Sequence, residues 1–263
     1  MKRMAWVMGV MALAAVVSAS ESEFRRTLFC RENRLPELGC WEVGLLPQYA
    51  QYDEFGGMFG KDAKRKEYTF TPYARYGLYE NLTAYATVPF GHVDSDLARK
   101  SHTGIRDITL GLELLAYEYT FDYPYVIPYV EIILPTGDDD KYLGNGEFDA
   151  LFGASIGTTV YDVYHYVLDA RYNFNHKNSG DDSEDGIFTL AAAFIWDLSD
   201  RFSVMIEAKG TSEDIYGESG IPVYYCGGMY YKVSENLSLS WYGGGSFNAD
   251  ENGMGAIKIG YLF

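Results

Sequence analysis

Ionisable and amide side chains recur at alternate positions of otherwise apolar runs: Glu42, Gln48, Arg75, Asp107, Glu113, Glu131, Asp149, Asp169, Arg171, Glu207, Lys209, Lys232 and Lys258. On extended backbone such positions share one face, so these groups point together, away from the apolar side chains between them. Enclosed in a lumen, mixed charges of this kind select solutes by field and size. They can equally pair across the interior and fill it. A constricted channel is the preferred expectation, and a solid plug the alternative.

Other chemistry finds less support. His92, His102, His165 and His176 are not followed two positions on by serine, so the His-x-Ser spacing of outer-membrane phospholipases is missing. No catalytic residue is assigned, and a hydrolase assembled from separate strands is kept as an alternative. Acidic runs occur at Asp138, Asp139 and Asp140, at Asp181, Asp182, Glu184 and Asp185, and at Glu213, Asp214 and Glu218. Hard cations favour clustered carboxylates, but these lack the ligand spacing of a dedicated site. They read as solvated loops, with no metal and no cofactor. Lys61, Lys64, Arg65 and Lys66 could meet the phosphates of outer-membrane lipid and lipopolysaccharide. Cys30 and Cys40 are close enough in sequence for a disulfide in an oxidising compartment, with two free thiols as the alternative; Cys226 reads as a small buried residue.

The elements that would carry these groups are strands. Tyr68, Phe70, Ala74, Tyr76 and Leu78 oppose Thr69, Thr71, Tyr73 and Arg75; Ile108, Leu110, Leu112 and Leu114 oppose Asp107, Thr109, Gly111 and Glu113. The same alternation begins at Leu82, Phe148, Tyr164, Phe188, Phe202, Leu237 and Ala256. Weaker segments at 41–53, 125–135 and 221–233 bring the expected number to twelve.

Connections between the segments alternate in length. Tyr79-Glu80-Asn81, Phe121-Asp122-Tyr123, Tyr161-Asp162, Ser199-Asp200 and Ser234-Glu235 are short; 54–66, 93–103, 137–147, 176–185, 211–220 and 248–253 are long, polar and rich in glycine. That is the layout of an all-β, twelve-stranded antiparallel transmembrane β-barrel with both termini in the periplasm of a Gram-negative-type bacterium. Tyr76, Tyr79, Tyr119, Tyr161 and Tyr164 cluster beside the short turns, where an interfacial girdle belongs. A soluble barrel or sandwich would have to bury more aromatic bulk than its interior holds. Tyr261 and Phe263 resemble the terminal-strand signal read by the barrel-assembly machinery.

Residues 1–19 read as a signal peptide: Lys2 and Arg3, an apolar stretch, then Val17-Ser18-Ala19 as the cleavage site. Residues 20–40 would then form a periplasmic N-terminal segment and a candidate plug, and 41–263 the barrel. The net charge of -16 argues against a nucleic-acid partner.

Residues 104–112, Gly-Ile-Arg-Asp-Ile-Thr-Leu-Gly-Leu, and Leu134-Pro135-Thr136-Gly137-Asp138 followed by Gly144-Asn145-Gly146 resemble an outer-membrane family named for the meta-pathway of phenol degradation. The resemblance implies transport of small, often aromatic or hydrophobic compounds, with Pro135, Thr136, Gly137 and Asp138 shaping a loop at the mouth. Passive uptake of a small solute is therefore the leading expectation. A closed structural or adhesive barrel displaying acidic loops is the second.

Overall fold

The computed structural model describes residues 24–55, 62–96, 100–116, 124–174, 186–212, 221–249 and 251–263. The expected signal peptide, the turn at Phe121, Asp122 and Tyr123, the acidic positions 181–185 and Glu213, Asp214 and Glu218 lie outside the described residues.

The strands in chain order are β1 (Trp41–Phe55), β2 (Asp62–Tyr79), β3 (Leu82–Thr87), β4 (Phe90–Ser95), β5 (Lys100–Ile105), β6 (Ile108–Leu114) and β7 (Tyr125–Leu134). They continue as β8 (Asp149–Val160), β9 (Tyr164–Phe174), β10 (Ile187–Ser199), β11 (Phe202–Thr211), β12 (Val223–Ser234), β13 (Leu237–Phe247) and β14 (Glu251–Leu262). Every pairing is antiparallel between neighbours, and β1 pairs with both β2 and β14, so the sheet closes. Closure removes the free edges that hydrocarbon would leave unsatisfied.

The fourteen segments make twelve staves, because β3 and β4 form one interrupted stave and β5 and β6 another. Pro89, which lacks an N–H, breaks the first, and Arg106 N–H crosses to Pro89 O at 2.7 Å beside the second break. β2 spans both halves of the broken stave, meeting β3 low and β4 high.

Two expected loops are partly strand. Residues 93–103 contribute to a β4–β5 hairpin with Val93 opposite His102, and 54–66 includes paired ends of β1 and β2 as far as Phe55 opposite Asp62. Asp94, Ser95, Ser101, His102 and Thr103 make most of the β4–β5 rungs polar, so that ladder leaves little trace in hydrophobic alternation.

Facing is clear from exposure. Leu168 and Ile206 are each 64% exposed on the outer surface, while the adjacent Asp169 and Glu207 are 1% and 3% exposed inside. Apolar bulk facing out and carboxylates enclosed is stable only with hydrocarbon around the wall. In the three-residue connection between β8 and β9, where Val160 lies opposite Tyr164, Tyr161 and Asp162 both take positive φ, the handedness that follows strand twist.

Candidate functional site

The interior is occupied by the chain's own N-terminal segment. It joins β1 at the rim of short turns, where Gly39 N–H reaches Gly77 O at 2.8 Å and Gly77 N–H reaches Cys40 O at 3.1 Å. A Cβ at Gly77 would lie 2.0 Å from Glu37 O, so a side chain there would push the segment off the wall. Residues 24–34 run inside. Phe24, 2% exposed, packs with Ile195, Met205, Cys226, Tyr230, Tyr242, Ala256 and Leu262. Cys30 packs with Tyr125, Ile127, Val167, Ala191 and Ala193.

Charge organises the middle. Glu113 of β6, fully buried, accepts from Arg75 Nη2 at 2.8 Å and Arg31 Nη1 at 2.9 Å, and also pairs with Arg25. Arg75 bridges onward to Glu42 of β1 and donates to Arg34 O at 2.8 Å. Arg31 also pairs with Glu131 of β7, donates a hydrogen bond from Nη2 to Tyr85 OH at 2.8 Å and lies 3.9 Å from the Tyr129 ring centroid. Isolated buried ions would be prohibitive, and here each guanidinium meets at least one carboxylate.

Around this centre the wall holds the segment's backbone. Glu207 accepts the N–H groups of Leu28 and Phe29, both at 2.7 Å, and Lys258 Nζ donates to Arg25 O at 2.7 Å. Tyr242 OH donates to Arg26 O. Ser155 Oγ accepts Arg31 N–H at 3.2 Å and donates to Asp169, which also receives Tyr129 OH at 3.0 Å. Arg171 reaches Phe29 O at 3.4 Å, and Lys209 Nζ lies 5.0 Å from the Phe29 ring.

Nearer the short turns, Arg26 pairs with Glu32 Oε2 at 2.9 Å and with Asp197. Asp197 also takes His165 Nε2 at 2.7 Å and Ser203 Oγ at 2.6 Å, and Thr159 Oγ1 faces His165 Nδ1 at 2.8 Å. The Ser203 hydroxyl points to the carboxylate and not to the imidazole, so this cluster clamps Arg26 and does not form a serine–histidine pair.

At the opposite end, residues 135–147 fold over the mouth. Asp107, between β5 and β6, accepts Gly137 N–H at 2.8 Å and Asn145 N–H at 3.0 Å. Thr136 Oγ1 accepts Ile108 N–H at 3.0 Å and donates to Arg106 O at 2.9 Å. Leu143, 2% exposed, lies over Gly91 and Gly104. A Cβ on Gly137 would meet Leu143 O at 2.3 Å. Pro135 is exposed at the start of this loop, and Asp138 pairs with Lys141 on its solvent-exposed side.

Of the side chains that alternation directs inward, Glu42, Arg75, Glu113, Glu131, Asp169, Arg171, Glu207, Lys209 and Lys258 come together around the segment. Asp149 is buried under the mouth loop with Asn145 Nδ2 on its Oδ2, Asp107 fastens that loop, and Lys232 pairs with Glu235 at a turn. Sequence reasoning missed the partners in the segment: Arg25, Arg26, Arg31 and Arg34. Four arginines within ten residues of a chain at net charge -16 were the available signal. The expected Cys30–Cys40 disulfide is corrected: both thiols are free. Cys40 sits at the rim before β1, whereas Cys30 is packed inside and Arg31 and Glu32 beside it are drawn to Glu131 and Arg26.

A closed wall with lipid-facing apolar residues and an ion-paired interior defines an outer-membrane β-barrel. Its fold is similar to that of the COG4313 outer membrane channel from Pseudomonas putida F1, with TM-score 0.70 and 16% identity over 92% of this chain and 100% of that one. It is also similar to the NanC porin (TM-score 0.54, 11% identity, 82% of this chain, 98% of that one). The translocator domain of the autotransporter NalP from Neisseria meningitidis gives TM-score 0.51 at 15% identity, over 99% of this chain and 96% of that one. Residues 61–258 match the family described as "Putative MetA-pathway of phenol degradation", and the chain belongs to that family. No curated protein matches the chain.

Proposed function

We propose that the protein is a passive outer-membrane channel for small solutes, closed in this structure by residues 24–34. The observation that carries this reading is the enclosed charged interior. A wall built only to be solid could be filled with apolar side chains at lower electrostatic cost. Here the filling is a separate segment, held largely by hydrogen bonds and ion pairs that water and solute groups can replace. The P. putida neighbour is described as a channel and NanC as a porin, which supports the same class of activity. The family suggests small aromatic or hydrophobic solutes.

In this reading the signal peptide, residues 1–19, is removed on export. The short turns and both termini face the periplasm, and the long acidic loops face outside, beside lipopolysaccharide. Tyr261 and Phe263 present the strand recognised during assembly. This reading assigns no catalytic side chain among the described residues.

Purified full-length protein in liposomes should pass small aromatic acids or sugars, and charge reversal at Arg75 or Arg171 should alter the preference among them. Liposomes that stay sealed to every solute would overturn the channel. The filled lumen favours one other reading, a closed barrel displaying its loops. That reading predicts sealed liposomes and a phenotype on loop deletion alone.

A further inference from the structure

Arg31 occupies a socket that the wall builds without it. Tyr85 lies across Gly111 of the next strand, and Tyr129 lies across Gly153: a Cβ at either glycine would fall 2.2 Å and 2.4 Å from the respective Cζ atoms. Each hydroxyl is then fixed by a wall carboxylate, Tyr85 OH on Glu131 at 2.6 Å and Tyr129 OH on Asp169 at 3.0 Å. The ring positions are thus set by glycines and acids of β3, β6, β7, β8 and β9, and the segment supplies none of them. Glu113 and Glu131 present their carboxylates to the guanidinium that lies over both rings.

Only a particular chemistry fits that space. Two aromatic faces, with centroids 3.9 and 4.8 Å from Arg31 Cζ, favour a cation above or below them. Glu113 takes its hydrogen bond from one terminal nitrogen, Nη1, while Glu131 and the Tyr85 hydroxyl take theirs from the other, Nη2, so the acceptors are spread over the two tips of one planar fork, a pattern an ammonium point charge does not match. We infer that this socket is a binding site for small organic cations carrying a planar guanidinium or amidinium group, and that Arg31 fills it as a tethered stand-in for such a ligand. The inference rests on the channel reading in that a free ligand enters only when the segment yields.

The test uses the full-length chain in detergent, with benzamidine as the cation and benzamide as its neutral counterpart. Calorimetric titration of R31A should show saturable benzamidine binding, tighter than to the unsubstituted chain and than benzamide by roughly tenfold or more. Adding E131Q to R31A should abolish that difference. Benzamidine binding R31A no better than benzamide, or binding that ignores E131Q, would overturn the site. R31Q keeps more of the side-chain bulk if R31A folds poorly. Should neither fold, refolding in benzamidine but not benzamide should recover them, and failure of that rescue also overturns the site. Binding in detergent combined with sealed liposomes would remove the channel and leave the socket standing; solute flux without benzamidine binding would remove the socket alone.

Discussion

The barrel is stopped at its two ends by different physics. At the end of the short turns, residues 24–34 are held through side-chain charges and wall carboxylates, with Glu113 as the shared centre. At the other end, residues 135–147 are held mainly through backbone groups captured by Asp107 and Thr136, plus one buried leucine. The first arrangement is many long side chains meeting in a low-dielectric space, so it is strong when complete and unforgiving when one member is lost. The second is a local turn whose geometry follows from adjacent glycines. In the proposed channel the inner stop is the one that would release as a unit.

The largest effect should come from E113Q, which leaves Arg25, Arg31 and Arg75 with one shared anion fewer. Removing one partner of a buried ionic network costs about 3–5 kcal/mol. Thermal unfolding in detergent should fall accordingly, and limited proteolysis should cut within residues 24–34 first. An unchanged melting curve would break the contrast, since the inner stop would then not depend on charge.

D107A should cost less, about 1–3 kcal/mol, the penalty for leaving hydrogen-bond donors unmet. Cleavage should appear in residues 137–147 while the inner segment stays protected. In the double variant E113Q/D107A, the two losses should add to within about 0.3–0.5 kcal/mol. A larger coupling would mean that the two stops act as one.

The smallest effect belongs to Lys141. The hydrogen bond to Asp138 and that carboxylate's charge hold its ammonium above the ordinary lysine value. A raised lysine pKa contributes fully below the unfolded value and is lost as pH rises through the folded one, so any contribution is complete at neutral pH. The pair is solvent-exposed, and K141A should leave the melting temperature unchanged at neutral and at high pH.

The lipid-facing wall was legible because each residue there answers to one partner, hydrocarbon or lumen, and alternation records that choice. Even the weak segments that became β1, β7 and β12 kept their inward acids Glu42 and Glu131 and their inward Lys232 in step. The β4–β5 hairpin was not legible, since Asp94 opposite Ser101 shows no apolar face. Nor was the segment's path: Arg31 finds Glu131 a hundred positions away, and no local pattern encodes that pairing. Asp107 was read as a lumen group because its parity is right, but it stands at a break in the stave, where the mouth loop claims it.

One consequence of the Arg75 position follows for the emptied barrel. Because this cation belongs to β2 and bridges Glu42 to Glu113, departure of Arg25 and Arg31 does not strip Glu113 bare. In the proposed open state the frame would keep its own resident counterion, which would lower the electrostatic step between the stoppered and unstoppered forms and make repeated opening compatible with an intact ring of strands.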